Sequence, residues 1–119
     1  MNRLIPAAII LTLIIIITFF GSKLVKETEA QLIEKVNSIM DSPTHEKAED
    51  LKKYWDKKSA ILSIFVNREG IEAVGEHTAK LYAAYHSNDQ EELVSAGEEI
   101  KYIIGRITEN ERFNYHSLF

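Results

Sequence analysis

Hydrophobic and polar positions divide this chain into two regimes. From Leu4 to Phe20, LIPAAIILTLIIIITFF, the polar side chains are the hydroxyls of Thr12 and Thr18. Beyond Ser22, apolar residues recur instead at every third or fourth position. The first regime predicts a membrane helix: about 17 apolar residues rise roughly 25 Å, and Gly21 and Ser22 extend that toward a hydrocarbon layer of ~30 Å. Inside lipid each backbone group must be bonded within the segment, which a single run achieves only as a helix. Pro6 falls in the first turn, where its missing N–H is harmless.

The second regime predicts four helical stripes. KLVKETEAQLIEKVNSIM carries the first helix onward with no Pro or Gly between Ser22 and Asp41. Val25, Thr28, Leu32, Val36 and Ile39 form its narrow apolar face, and Lys23 and Lys26 reach toward headgroups. Asp41-Ser42-Pro43 breaks the pattern. Ser42 or Asp41 is read as the next cap, Pro43 as the first helical position and Glu46 as an acidic first turn. Ala48, Leu51, Trp55, Leu62 and Phe65, flanked by Tyr54, Ile61 and Val66, then predict a helix over about 43–66. Glu49 and Lys53 stand at i,i+4 in the favourable order, worth about 0.3 kcal/mol on an exposed face. The lysines at 47, 52, 53, 57 and 58 make a solvated basic flank.

Asn67-Arg68-Glu69-Gly70 reads as a turn by its loss of periodicity and its glycine. Ile71, Val74, Thr78, Leu81 and Tyr85, beside Ala73, Tyr82 and Ala84, predict a third helix over about 70–86. Ser87 with Gln90, or Asn88 with Glu91, has capping-box spacing. Leu93, Ala96, Ile100, Ile103 and Ile107, with Ile104 adjacent, carry a fourth helix through about Glu109. The closing segment, with Phe113, Tyr115, Leu118 and Phe119, is too apolar for a solvated tail and is expected to dock on the bundle or the membrane surface.

The fold class expected is all-α: an N-terminal transmembrane helix continuing into a small antiparallel bundle of about four helices. Residues 1–21 form the anchor and 22–119 the bundle domain, about 98 residues, enough for one core. Strand signals and hairpin turns are missing from the pattern. Trp55, Leu62, Phe65, Leu81 and Ile103 are the expected core. A cleaved secretory signal competes with a retained anchor. The long apolar run, the bulky Phe19 and Phe20 and the want of a small-residue cleavage site favour retention. Arg3 before the span and Lys23 and Lys26 after it do not settle orientation. A three-residue stub usually stays inside, which favours the bundle outside the cytoplasm.

Charge and composition change the picture little. The chain has 119 residues and a formal net charge of −4; without Arg3, the charged side chain of residues 1–21, the remainder carries −5. That balance argues against nucleic acid or anionic lipid as the main partner. The absence of cysteine excludes disulfides, thiolate zinc sites and cysteine nucleophiles. The histidines at 45, 77, 86 and 116 form no H-x-x-x-H or H-E-x-x-H pair and are read as surface or helix-end groups. Glu91-Glu92 and Glu98-Glu99 point about 100° apart on a helix of about 3.6 residues per turn and are read as solvated. Gly75, Gly97 and Gly105 sit inside predicted helices at about 1 kcal/mol each relative to alanine. Gly97 and Gly105 share a face and suit close helix contact or a shallow groove. No phosphate loop, nucleophile elbow or metal motif appears, so no catalytic, cofactor or metal residue is assigned and no enzyme is expected.

The N-terminal span, Trp55 in the second helix, the stretch from Asn67 through Ile71, Val74 and Leu81, and Glu111-x-Phe113-Asn114 ending in Leu118-Phe119 together resemble a known family. It is domain-of-unknown-function family 4363, small single-span proteins of spore-forming Firmicutes. The resemblance implies an anchored helical protein, often encoded near YetF-like multi-span membrane proteins, with no catalytic residue to carry over. The expected function is a non-enzymatic interaction or accessory module for a larger membrane protein in sporulating cells. Phe113, Tyr115, Leu118 and Phe119 are its candidate contacts. The alternative is an extracytoplasmic ligand-sensing bundle whose long first helix passes a signal to the membrane through a partner. Spacing permits dimers as readily as monomers.

Overall fold

The apolar run and the first stripe lie on one uninterrupted helix, α1 (Leu4–Asp41), long and apolar enough to cross a membrane. The computed structural model describes residues 2–118, and the side chains of 2–110. Three more helices follow: α2 (His45–Leu62), α3 (Arg68–His86) and α4 (Gln90–Leu118). Among the described residues there is no strand. The large apolar side chains from Leu4 to Phe20 are exposed along α1, and inward burial starts at Gly21 and continues through Val25, Thr28, Leu32, Val36 and Ile39. The periodic stripe thus begins where the uniformly apolar run ends. Thr12 bonds its hydroxyl to the Ala8 carbonyl at 2.8 Å, which satisfies that donor within the helix.

The helices run up, down, up and down. Lys35 of α1 bonds Asp50 of α2 at 2.6 Å, while Gly21 meets Phe65 beyond the far end of α2. Tyr82 reaches Glu49, and Gly75 meets Trp55. Lys101 bonds Asn37 at 2.9 Å, while Gly105 lies beside Glu29, so α4 descends along α1. Each helix packs on its sequence neighbours and α4 closes the ring onto α1. The described molecule is 67 × 23 × 20 Å, long because the apolar half of α1 projects from the bundle.

The core joins Val25, Leu32, Val36 and Ile39 of α1 to Leu51, Trp55 and Leu62 of α2, Val74 and Leu81 of α3, and Leu93, Ile100 and Ile104 of α4. Phe65 and Ile103 are half-buried and pack against this core from its edge. The deepest position on that turn of α4 is Ile104, one residue on from Ile103.

The helix ends depart from the sequence reading, and backbone stereochemistry explains each case. Neither Asp41 nor Ser42 caps α2, and Pro43 is not helical. Proline forces the residue before it out of the helical region, and Ser42 accordingly sits at φ −148, ψ 86. The cap falls on Thr44, at φ −138, ψ 157, whose hydroxyl accepts from the Lys47 N–H at 3.2 Å. Lys47 turns its ammonium back to the Ser38 and Ser42 carbonyls, satisfying the exposed end of α1. Four residues short of the predicted end, α2 stops at Leu62, where the backbone tightens into a turn: the Ile64 and Phe65 N–H groups donate three residues back, to Ile61 and Leu62. The turn expected at 67–70 is the start of α3: Asn67 caps it through the Glu69 N–H at 2.8 Å, and Gly70 is helical.

Asn88 ends α3 with φ 56, the left-handed conformation that asparagine tolerates. The cap of α4 is neither Ser87 nor Asn88 but Asp89, which accepts from the Glu92 N–H at 3.1 Å. The backbone of α4 continues through the segment expected to dock as a tail. The side chains of Phe113, Tyr115 and Leu118, and all of Phe119, lie outside the described residues.

Candidate functional site

The chemically richest part of the surface is the end of the bundle farthest from the apolar run. His45 is the first residue of α2 and Glu49 stands one turn later on the same face, while His86 is the last residue of α3. Because α2 and α3 are antiparallel neighbours, the start of one lies beside the end of the other. The two imidazole centroids are 5.7 Å apart, and His45 Nε2 is 3.8 Å from Glu49 Oε1. One ligand atom from each of His45, Glu49 and His86 falls within 4.8 Å of the others.

Tyrosines frame this cluster. The Tyr82 ring meets His86 edge-on at 4.5 Å and Tyr85 meets it at 5.3 Å. The Tyr82 hydroxyl donates a short hydrogen bond to Glu49 Oε1. That bond lowers the Glu49 pKa below its ordinary 4.5, with the positive charge of His45, Lys52 and Lys53 contributing in the same direction against some desolvation. The same bond raises the Tyr82 pKa above 10.0, because ionising the phenol would lose the donated proton, with desolvation and the Glu49 charge adding to the effect. Lys52 covers the outer face of the Tyr82 ring, its Nζ 4.8 Å from the centroid. Glu49 is therefore committed to the cluster across the helix pair rather than to Lys53 along α2. Chemically, the arrangement offers two imidazole nitrogens and one ionised carboxylate converging from two helices.

The opposite end is apolar. Phe65 packs at a tilt against Phe20 with centroids 6.0 Å apart, and Gly21 sits so close that a Cβ there would stand 2.6 Å from Phe65 Cδ1. Ile64, 74% exposed, and Ile61 face outward at the same level. The α2–α3 turn thus lies against the junction of the apolar run and the bundle. On one side, α1 and α4 enclose an open groove lined by Glu29, Lys101, Tyr102, Gly105, Arg106 and Glu109.

A family model described as a domain of unknown function, DUF4363, matches residues 19–117. The chain belongs to DUF4363. The DUF4363 match begins at Phe19, where the apolar run gives way to the bundle, and takes in all four helical faces described above. No curated protein and no solved structure matches the chain.

Of the residues singled out in the sequence, Trp55, Leu62 and Leu81 are buried, and Phe65 and Ile103 form the rim of the core. The aromatic contacts expected at 113–119 fall outside the described side chains. His77, on α3 of this DUF4363 chain, is not among the clustered ligand residues His45, Glu49 and His86. Sequence reasoning missed the meeting of His45 and His86, which are far apart in the chain and follow no local spacing. The available signal was topological: two histidines at the touching ends of an antiparallel helix pair.

Proposed function

We propose that this DUF4363 chain is a non-enzymatic, single-pass protein of the cell membrane whose bundle, held outside the cytoplasm, is an interaction or accessory module for a larger membrane protein. A multi-span protein of the YetF-like kind in sporulating cells is the partner class that the family resemblance suggests. The observation that carries this reading is the continuity of α1 from Leu4 to Asp41. A helix without a break transmits tilt and rotation from the lipid into the bundle, so a partner gripping either part senses the other. The apolar base at Ile61, Ile64 and Phe65 supports the same reading, because it stands where a neighbouring span or its short loops would meet the bundle.

The test is quantitative capture of the full chain from gently solubilised membranes, with Ile64→Asp and a deletion of 113–119 alongside. One multi-span protein recovered in constant ratio with the native chain, and lost with either variant, is the expected result. Recovery of the chain alone, or of a partner indifferent to both changes, would overturn the reading. The groove lined by Glu29, Lys101 and Arg106 carries both signs of charge and favours the second reading, a ligand-sensing bundle. A thermal-shift screen of small zwitterions and anions on the full chain separates the two: stabilisation that Arg106→Ala abolishes speaks for sensing.

A further inference from the structure

The membrane-distal cluster has a feature that an interaction module does not need. Two histidines and a glutamate from different helices converge with their ligand atoms within 4.8 Å of one another. Around a tetrahedral zinc ion with ligands at about 2.0–2.1 Å, donor atoms stand about 3.3 Å apart. His45 is 65% exposed and His86 also lies in solvent, so rotation of the two rings closes the remaining ~1.5 Å without moving a helix. Glu49, 31% exposed, is the most enclosed of the three and supplies the fixed point.

The surroundings fit a metal ligand set. Tyr82 donates to Glu49, which fixes the carboxylate's direction, as outer hydrogen bonds do at metal centres. The edges of Tyr82 and Tyr85 hold the His86 ring on two sides. Lys52 lies over the Tyr82 ring, and among the described residues no lysine or arginine forms an ion pair with Glu49. Two imidazoles and one carboxylate are ligands for zinc and its neighbours. Magnesium and calcium require mostly oxygen donors.

We propose that His45, Glu49 and His86 form a binding site for one divalent transition-metal ion of the zinc type, with solvent completing its coordination. The ion ties the start of α2 to the end of α3 at the outer tip of the bundle. From Phe20 to Asp41, α1 rises about 31 Å at about 1.5 Å per residue, so the site stands well clear of the membrane and open to the surrounding solution. Metal occupancy would rigidify the tip from which both the α1–α2 and α3–α4 connections leave.

The experiment is calorimetric titration of zinc chloride into the full chain, without a polyhistidine tag, in phosphatidylcholine nanodiscs and a non-chelating buffer. One ion per chain is expected, with a rise in the thermal unfolding midpoint. His45→Ala and His86→Ala should each weaken binding at least tenfold and remove the midpoint rise. Tyr82→Phe should weaken it severalfold, and His77→Ala should leave it unchanged. Both ligand histidines are exposed, so helical circular dichroism of their variants should match the native chain; a Gln substitution at Glu49 provides a further variant that preserves shape. Absence of saturable binding, or binding undiminished when His45 and His86 are both replaced, would overturn the proposal.

Discussion

Trp55 is 4% exposed, and its indole Nε1 lies 3.3 Å from where a Cβ would stand on Gly75. Replacing it with Ala opens a cavity between α2 and α3, so a loss of roughly 3–5 kcal/mol is expected. Chemical unfolding of the full chain in micelles, followed by circular dichroism, measures it; a change under 1 kcal/mol would mean the cavity collapses. Thr78 is the opposite case. Its Oγ1 is buried with no hydrogen-bond partner among the described residues. Thr78→Val keeps the shape and removes the unpaired hydroxyl, so it should stabilise by about 1 kcal/mol in the same assay. The Glu49–Tyr82 pair makes stability depend on pH at both ends. The lowered Glu49 pKa contributes stability that is present above the ordinary 4.5 and lost as pH falls through the folded value. The raised Tyr82 pKa contributes stability that is present below 10.0 and lost as pH rises through its folded value. In Tyr82→Phe the Glu49 carboxyl, followed by carbon NMR, should titrate closer to 4.5; an unmoved midpoint would show that the hydrogen bond is not what holds it.

Helices α1 and α4 make contact through two glycines that behave differently. A Cβ on Gly97 would stand 2.5 Å from Met40 Sδ and 3.0 Å from Val36 Cγ1. Met40 is flexible, but Val36 is β-branched and fully buried, so α4 can approach α1 this closely only without a side chain at 97. Among the described residues, a Cβ on Gly105 would meet only Glu29 Oε2, at 3.6 Å. Gly105→Ala should therefore stabilise by about 0.5–1 kcal/mol through helix propensity, while Gly97→Ala should destabilise. If both variants stabilise alike, the 97 contact relaxes freely. The shared face of these glycines was legible in the sequence. Which of them touched the neighbour depended on the register of α4 against α1, and that register is set by the whole interface. The same holds for Ile103 and Ile104, whose order of burial follows from how far α4 is rolled.

The whole molecule stands as a bundle on an apolar stalk, with Ile64 at the turn beside Phe20 and Gly21. In a bilayer this turn should touch the headgroup boundary. The chain contains no cysteine, so Ile64→Cys can carry a single environment-sensitive fluorophore. In nanodiscs its emission should be blue-shifted relative to the same label at Glu91, on the distal tip. Equal emission from both positions would place the base away from lipid.

The fold was largely legible because each helix announces itself locally. A run of apolar residues without charge must be satisfied within itself in lipid, and a stripe at three and four predicts one buried face whatever it is buried against. Helix ends were less legible, since Ser42, Thr44, Ser87, Asn88 and Asp89 all favour caps. The choice among them fell to Pro43 and to the left-handed turn at Asn88. The histidine cluster was not legible at all. His45 and His86 meet only because α2 and α3 are antiparallel and in register, a relation between helices that no spacing along one helix contains.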